Sequence, residues 1–180
     1  MTDPISFELT AGRLVFSFRR ALSNQIFVVH GHDHNARNDL SKFLRALGLH
    51  PIILDHRPNE GNTIIEKFER HTRKVSVAIG LLTRDDMGYP TGLPLLAKPR
   101  ARQNVVFELG FFVGKLGRKK VIAIRDCDVE IPSDYQGIVF ISRDTEVDWR
   151  IRLVQELDAL GVPVRDGWQA LLGMNRKVSV

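Results

Sequence analysis

Short apolar runs recur between helical segments through the middle of the chain, and this alternation constrains the fold most. Ile26-Phe27-Val28-Val29, Pro51-Ile52-Ile53-Leu54, Val77 to Leu82, Val121 to Ile124 and Gly137 to Ile141 are nearly continuous in apolar side chains. A strand with one wet face alternates apolar and polar residues; a continuous run fits a strand covered on both faces. Between the runs, Ala36, Leu40, Phe43, Leu44 and Leu47 lie on one helical face that Gly48 ends. Thr63-Ile64-Ile65-Glu66 has capping-box spacing and opens a second helix to about Arg73. Gln103 to Leu116 reads as a third helix, ended by Gly117, and Glu146 to Leu160 as a last one. Strand–helix alternation predicts right-handed crossovers and an α/β fold: a three-layer αβα, flavodoxin-like domain with a five-stranded parallel sheet. The expected order is 2-1-3-4-5, counting the five runs.

The 180 residues suit one domain. We divide them into an N-terminal arm or linker (1–24), the α/β domain (25–161) and a C-terminal tail (162–180). In the arm, Phe16 and Phe18 suggest a short strand with no partner in view. Cys127 is the only cysteine, so no intrachain disulfide forms and a reducing compartment is expected. No apolar run spans a bilayer, and the first residues do not read as a secretory signal. The expectation is a cytoplasmic protein without a membrane partner. The net charge of +5 is mild. Lys98, Arg100 and Arg102 cluster, as do Arg118, Lys119 and Lys120. Solvated loops and helix ends explain them, and nucleic acid is not an expected partner; attraction of a polyanion is the competing reading.

In open parallel sheets, ligands bind beyond the carboxyl ends of the strands, at the switch point between strands one and three. That selects the loops His30 to His34, Asp55 to Gly61 and Thr83 to Asp86, which carry His32, Asp33, Arg84, Asp85 and Asp86. The irregular stretch Thr83 to Arg100 is long enough to suggest function. On the helix from Gln103, the core stripe is Val105, Leu109, Phe112, Val113 and Leu116. Glu108 lies on its shoulder, one turn after Asn104 and before Phe111, Phe112 and Lys115. A carboxylate beside apolar rings is partly desolvated; the plain alternative is a solvent-facing Glu paired with Lys115 or an Arg. Phe107 and Phe111 form a second apolar stripe, a mark of deep burial or of a contact with another protomer.

Four segments, in this order, carry a family resemblance. They are Val28 to Asp33, Pro58 to Glu69, Leu81 to Asp86, and Arg100-Ala101-Arg102-Gln103-Asn104-Val105-Val106-Phe107-Glu108-Leu109-Gly110-Phe111-Phe112. Over roughly Ile26 to Leu160 the chain resembles the bacterial TIR-like domains described as predicted nucleotide-binding proteins. The resemblance implies a flavodoxin-like fold and an NAD glycohydrolase that releases nicotinamide and leaves ADP-ribose or a cyclised form. NAD is then substrate, with no resident cofactor and no metal. Glu108 matches the family's catalytic Glu. Asp33, Arg84, Asp85 and Asp86, with His32 and Asn104, are expected to bind and orient the riboses and pyrophosphate. Such domains are effectors of anti-phage defence, assemble through TIR–TIR contacts into homo-oligomers, and answer to a sensor or cyclic-nucleotide-responsive partner. His56 departs from the pattern, where a carboxylate is familiar.

Three rival readings remain at this level. His30, His32, Asp33 and His34 approach the metallo-hydrolase pattern H-x-H-x-D-H, one residue short. A nucleoside deoxyribosyltransferase-like enzyme shares the sheet type and a carboxylate at a ribose carbon. A non-catalytic adaptor would use the fold for assembly alone.

Overall fold

The computed structural model describes residues 5–10, 13–18, 22–54, 66, 72–143 and 148–173. The expected helix from Thr63, the loop Asp55 to Asn62 with His56, and the start of the last helix at Glu146 lie outside the described residues.

Strands β1 (Ile5–Thr10) and β2 (Arg13–Phe18) pair antiparallel, from Ile5 opposite Phe18 to Thr10 opposite Arg13. The segment around Phe16 thus has a partner strand, supplied by the residues just before it. β3 (Gln25–Val29), α1 (His34–Ala46), β4 (His50–Ile52) and β5 (Val77–Leu82) follow. A short antiparallel hairpin, β6 (Asp86–Gly88) with β7 (Lys98–Arg100), stands inside the stretch expected to be irregular. Then come α2 (Gln103–Leu116), β8 (Val121–Arg125), β9 (Val139–Ser142) and α3 (Trp149–Ala159).

The main sheet has five strands in the order β4-β3-β5-β8-β9, every neighbouring pair parallel. This is the expected 2-1-3-4-5 order of a three-layer, flavodoxin-like α/β domain. Side chains of a strand alternate between faces, and the two hydrophobic clusters follow that alternation. Ile26, Val28, Val77, Ile79, Ile122 and Ile124 join Leu40 and Leu44 of α1 and Leu153 and Leu157 of α3. Phe27, Val29, Ala78, Leu82, Val121 and Ala123 join Val105, Leu109 and Phe112 of α2 on the other face. The central strands must therefore be apolar throughout, whereas edge strands β4 and β9 are mostly half-buried. Each fully buried Leu of this set contributes on the order of 2 kcal/mol.

Packing continues past α3. Val162 is buried, Val164, Trp168 and Leu172 pack on the α1/α3 cluster, and Arg165 N–H donates to Leu47 O at 2.8 Å. Among the described residues no helix is long and apolar enough to cross a membrane.

Candidate active site

Helix α2 lies tight on the sheet because residue 80 has no side chain: a Cβ on Gly80 would stand 2.6 Å from Leu109 Cδ1. Phe112 packs on Phe27 of β3, ring centroids 4.4 Å apart. Gly117, at φ +82°, ends the helix, its N–H donating to Val113 O at 3.1 Å. This seating fixes Glu108 on the shoulder of the core stripe, half-buried. Burial raises its carboxyl from 4.5 to about 7. The cation one or two turns on does not neutralise it. Lys115 Nζ donates to Thr72 Oγ1 at 2.6 Å and lies 5.5 Å from the Phe111 ring centroid. Among the described residues Glu108 has neither ion pair nor hydrogen bond. Phe107 and Phe111 part company: Phe107 is 57% exposed, while Phe111 stacks edge-on against Phe112 at 5.4 Å and is partly buried.

The loops after β3 and β5 meet at the switch point. Asp85 receives the Thr83 hydroxyl at 3.0 Å and the His32 N–H at 3.2 Å. The Nε2 of His32 faces the Nη1 of Arg102, the residue just before α2. An arginine has no acceptor and keeps its proton, so the imidazole nitrogen accepts. This contact joins the loop after β3 to the start of the helix that carries Asn104, which is exposed, and Glu108.

The other expected binding residues are placed differently. Asp33 caps α1, accepting from Ala36 N at 2.8 Å, and faces Arg143 at 3.5 Å. Arg84 binds Asp128 at 2.6 Å and faces Asp126 at 3.8 Å; Arg143 reaches Asp126 at 3.0 Å. The result is an alternating chain, Asp33–Arg143–Asp126–Arg84–Asp128, across the carboxyl ends of the sheet. Asp86 opens β6, opposite Arg100. In the His-rich segment, His30 Nδ1 donates to Gly31 O at 2.8 Å and His32 faces Arg102. Among the described residues no group of three His, Cys, Asp or Glu stands ready to hold a metal. Asp126, Asp128 and Arg143 were not singled out from sequence, and Arg102 entered only as part of a basic cluster and a motif, not as a site residue. Asp126 and Arg143 directly follow β8 and β9, so extending the strand-end rule to all five strands finds both.

The opposite flank of α2 carries the open space. Val106 is about 160° around the helix from Glu108 and lines a cavity of about 590 Å³ with Phe107, Arg100 and Glu130. A second cavity, about 570 Å³, shares Arg100 and Glu130 and lies under Tyr89, Leu95 and Leu96. Glu108 lines neither. Met87, Tyr89, Leu93, Leu95, Leu96 and Phe107 are exposed around this flank, Leu95 fully so at 99%.

Comparison with known proteins joins this geometry to a family. Residues 25–145 match the family described as "CAP12/Pycsar effector protein, TIR domain". "Uncharacterized protein YuaY" of Escherichia coli (strain K12) is 46% identical over 144 residues, covering 80% of this chain and 48% of that protein. "Protein tirC" of Dictyostelium discoideum is 36% identical, covering 66% of this chain and 63% of its own. "Pycsar effector protein BcPycTIR" of Burkholderia cepacia is 32% identical, covering 57% and 35%. The chain thus spans between about a third and two thirds of these relatives. With the matched segment running from β3 past β9 and taking in both switch-point loops and all of α2, the chain belongs to the TIR domain family of CAP12/Pycsar effector proteins.

Proposed function

We propose that this domain is an NAD glycohydrolase in which Glu108 stabilises the ribosyl cation that develops as nicotinamide departs. The observation that carries the reading is a desolvated carboxylate, without a counter-ion among the described residues, on the helix whose start meets the switch-point loops. Nicotinamide is already cationic in NAD and leaves without protonation. Positive charge then develops on the ribose carbon in an oxocarbenium-like transition state. A carboxylate with no cation of its own, in a site of reduced dielectric, answers that charge more strongly than one in water. Water, or a second position of ADP-ribose, completes the reaction, giving ADP-ribose or its cyclised form. Asp85, whose described donors are a hydroxyl and an amide, keeps lone pairs for a ribose hydroxyl.

The relatives named as effector proteins support a role as a defence effector switched by a sensor or a cyclic-nucleotide-responsive partner. The apolar flank around Leu95 and Phe107 supports activation by homotypic assembly. The test is to incubate the protein with NAD, with and without a crowding agent, and identify products by mass. Nicotinamide release is the expected result. Cleavage of deoxynucleosides with NAD left intact would move the reading to a deoxyribosyltransferase-like enzyme.

A further inference from the structure

Arg84, Arg143 and Arg102, all near the carboxyl edge of the sheet, differ in their partners. Arg84 is held by Asp128 at 2.6 Å and faces Asp126 at 3.8 Å. Arg143 is shared by Asp126 at 3.0 Å and Asp33 at 3.5 Å. Arg102 meets no carboxylate among the described residues; its partner is the neutral acceptor Nε2 of His32. Among the described residues its charge is therefore uncompensated and most of its five donors are unused. It also stands where the loop after β3 meets the start of α2, the crevice in which this sheet type takes its ligands. A second, opposite need is met beside it. Asp85 is fixed through His32 N–H at 3.2 Å and Thr83 at 3.0 Å. An acceptor and a strong cation on either side of one histidine suit a ligand with a hydroxyl next to an anionic group.

We infer that Arg102, not Arg84, is the cation that selects the pyrophosphate of the substrate, with His32 as the hinge that presents it. The inference rests on NAD as the substrate. A planar guanidinium offers two parallel N–H groups to phosphate oxygens. On binding, it exchanges one contact with a neutral ring for contacts with an anion that answers its charge. For Arg84 the same move would break its existing charge-assisted pair with Asp128 at 2.6 Å.

Two substrate pairs test this on the whole protein. ADP-ribose and adenosine share a base and ribose, and the pyrophosphate, with a second ribose, is present only in the first; NAD and nicotinamide riboside share the scissile bond, and the pyrophosphate, with the adenosine, is present only in NAD. The wild type should bind ADP-ribose more tightly than adenosine and prefer NAD. R102Q should shrink both preferences by roughly tenfold to a hundredfold, the effect of losing a charged hydrogen-bond partner. R102K, which keeps the charge and loses the fork, should fall between. Thermal unfolding checks that each variant is folded. Unchanged preferences in folded R102Q, with NAD still cleaved by wild type, would overturn the assignment and leave the glycohydrolase reading intact. Loss of the preferences in R84Q but not R102Q would reassign the pyrophosphate to Arg84. A wild type that neither cleaves NAD nor binds ADP-ribose would remove the substrate reading and this inference with it.

Discussion

Gly31 and Asp85 claim the same space: a Cβ on residue 31 would stand 1.8 Å from Asp85 Oδ2. The glycine is needed for this close approach, because the carboxylate there receives Thr83 and His32. Gly31→Ala should turn Asp85 away and leave the buried Thr83 hydroxyl, in a residue 2% exposed, without its acceptor. The expected cost is about 1–3 kcal/mol in denaturant unfolding. In an Asp85→Ala background the same Gly31→Ala change should cost little. Equal costs in both backgrounds would show that the two residues are not coupled.

Glu108 makes a second prediction, in stability against pH. Its folded value, about 7, lies above the ordinary 4.5. Between those values the native state holds a proton that the unfolded chain has released. Stability therefore falls as pH rises from about 4.5 to 7 and levels off above. The full drop is up to roughly 3 kcal/mol. Glu108→Gln lacks this loss, so its stability relative to wild type should climb across the same window. A difference that stays flat from pH 4 to 8 would contradict the desolvation.

Arg143 is the third case. It bridges Asp33, the cap of α1, and Asp126, which is 3% exposed. Arg143→Ala removes the nearer of the two arginines that face the buried Asp126 and leaves Arg84 at 3.8 Å. A loss of about 3–5 kcal/mol is expected, as for a buried pair broken on one side. A loss below 1 kcal/mol would mean that the chain of charges is a solvated surface feature.

What the sequence disclosed and what it hid follow from range of interaction. Strands β3, β5 and β8 were legible because burial on both faces leaves a run of Ile, Val and Leu. Helix α2 was legible to its ends because Gly117 stops it locally and its stripe repeats. The β6–β7 hairpin was not: three-residue strands, one just before Pro90 and one containing Pro99, leave no period to read. Nor was the division of labour among Arg84, Arg102 and Arg143. Each is a polar residue after a strand or before a helix, and only the folded sheet end decides which of them faces a carboxylate. The separation of Phe111 from Phe107 has the same origin, since Phe112 and Lys115 engage one ring and leave the other exposed.

Assembly yields a fourth prediction. Leu95 is 99% and Phe107 57% exposed on the flank opposite Glu108. If copies meet there, specific activity on NAD should rise with protein concentration or crowding. Leu95→Asp and Phe107→Ser should abolish the rise and leave the melting temperature within a few degrees, because these side chains bury little in the monomer. A wild-type mass that stays monomeric, with constant specific activity from nanomolar to high micromolar protein, would show that one chain suffices.

The most direct measurement is the rate of nicotinamide release from NAD by wild type and Glu108→Gln, side by side from pH 5 to 9. The substitution keeps size and hydrogen bonding and removes the charge. The account predicts that wild-type kcat/KM falls about tenfold per pH unit below about 7, as the carboxylate is protonated. It predicts that folded Glu108→Gln is slower by a hundredfold or more throughout. Near-wild-type release by a folded Glu108→Gln protein would contradict it.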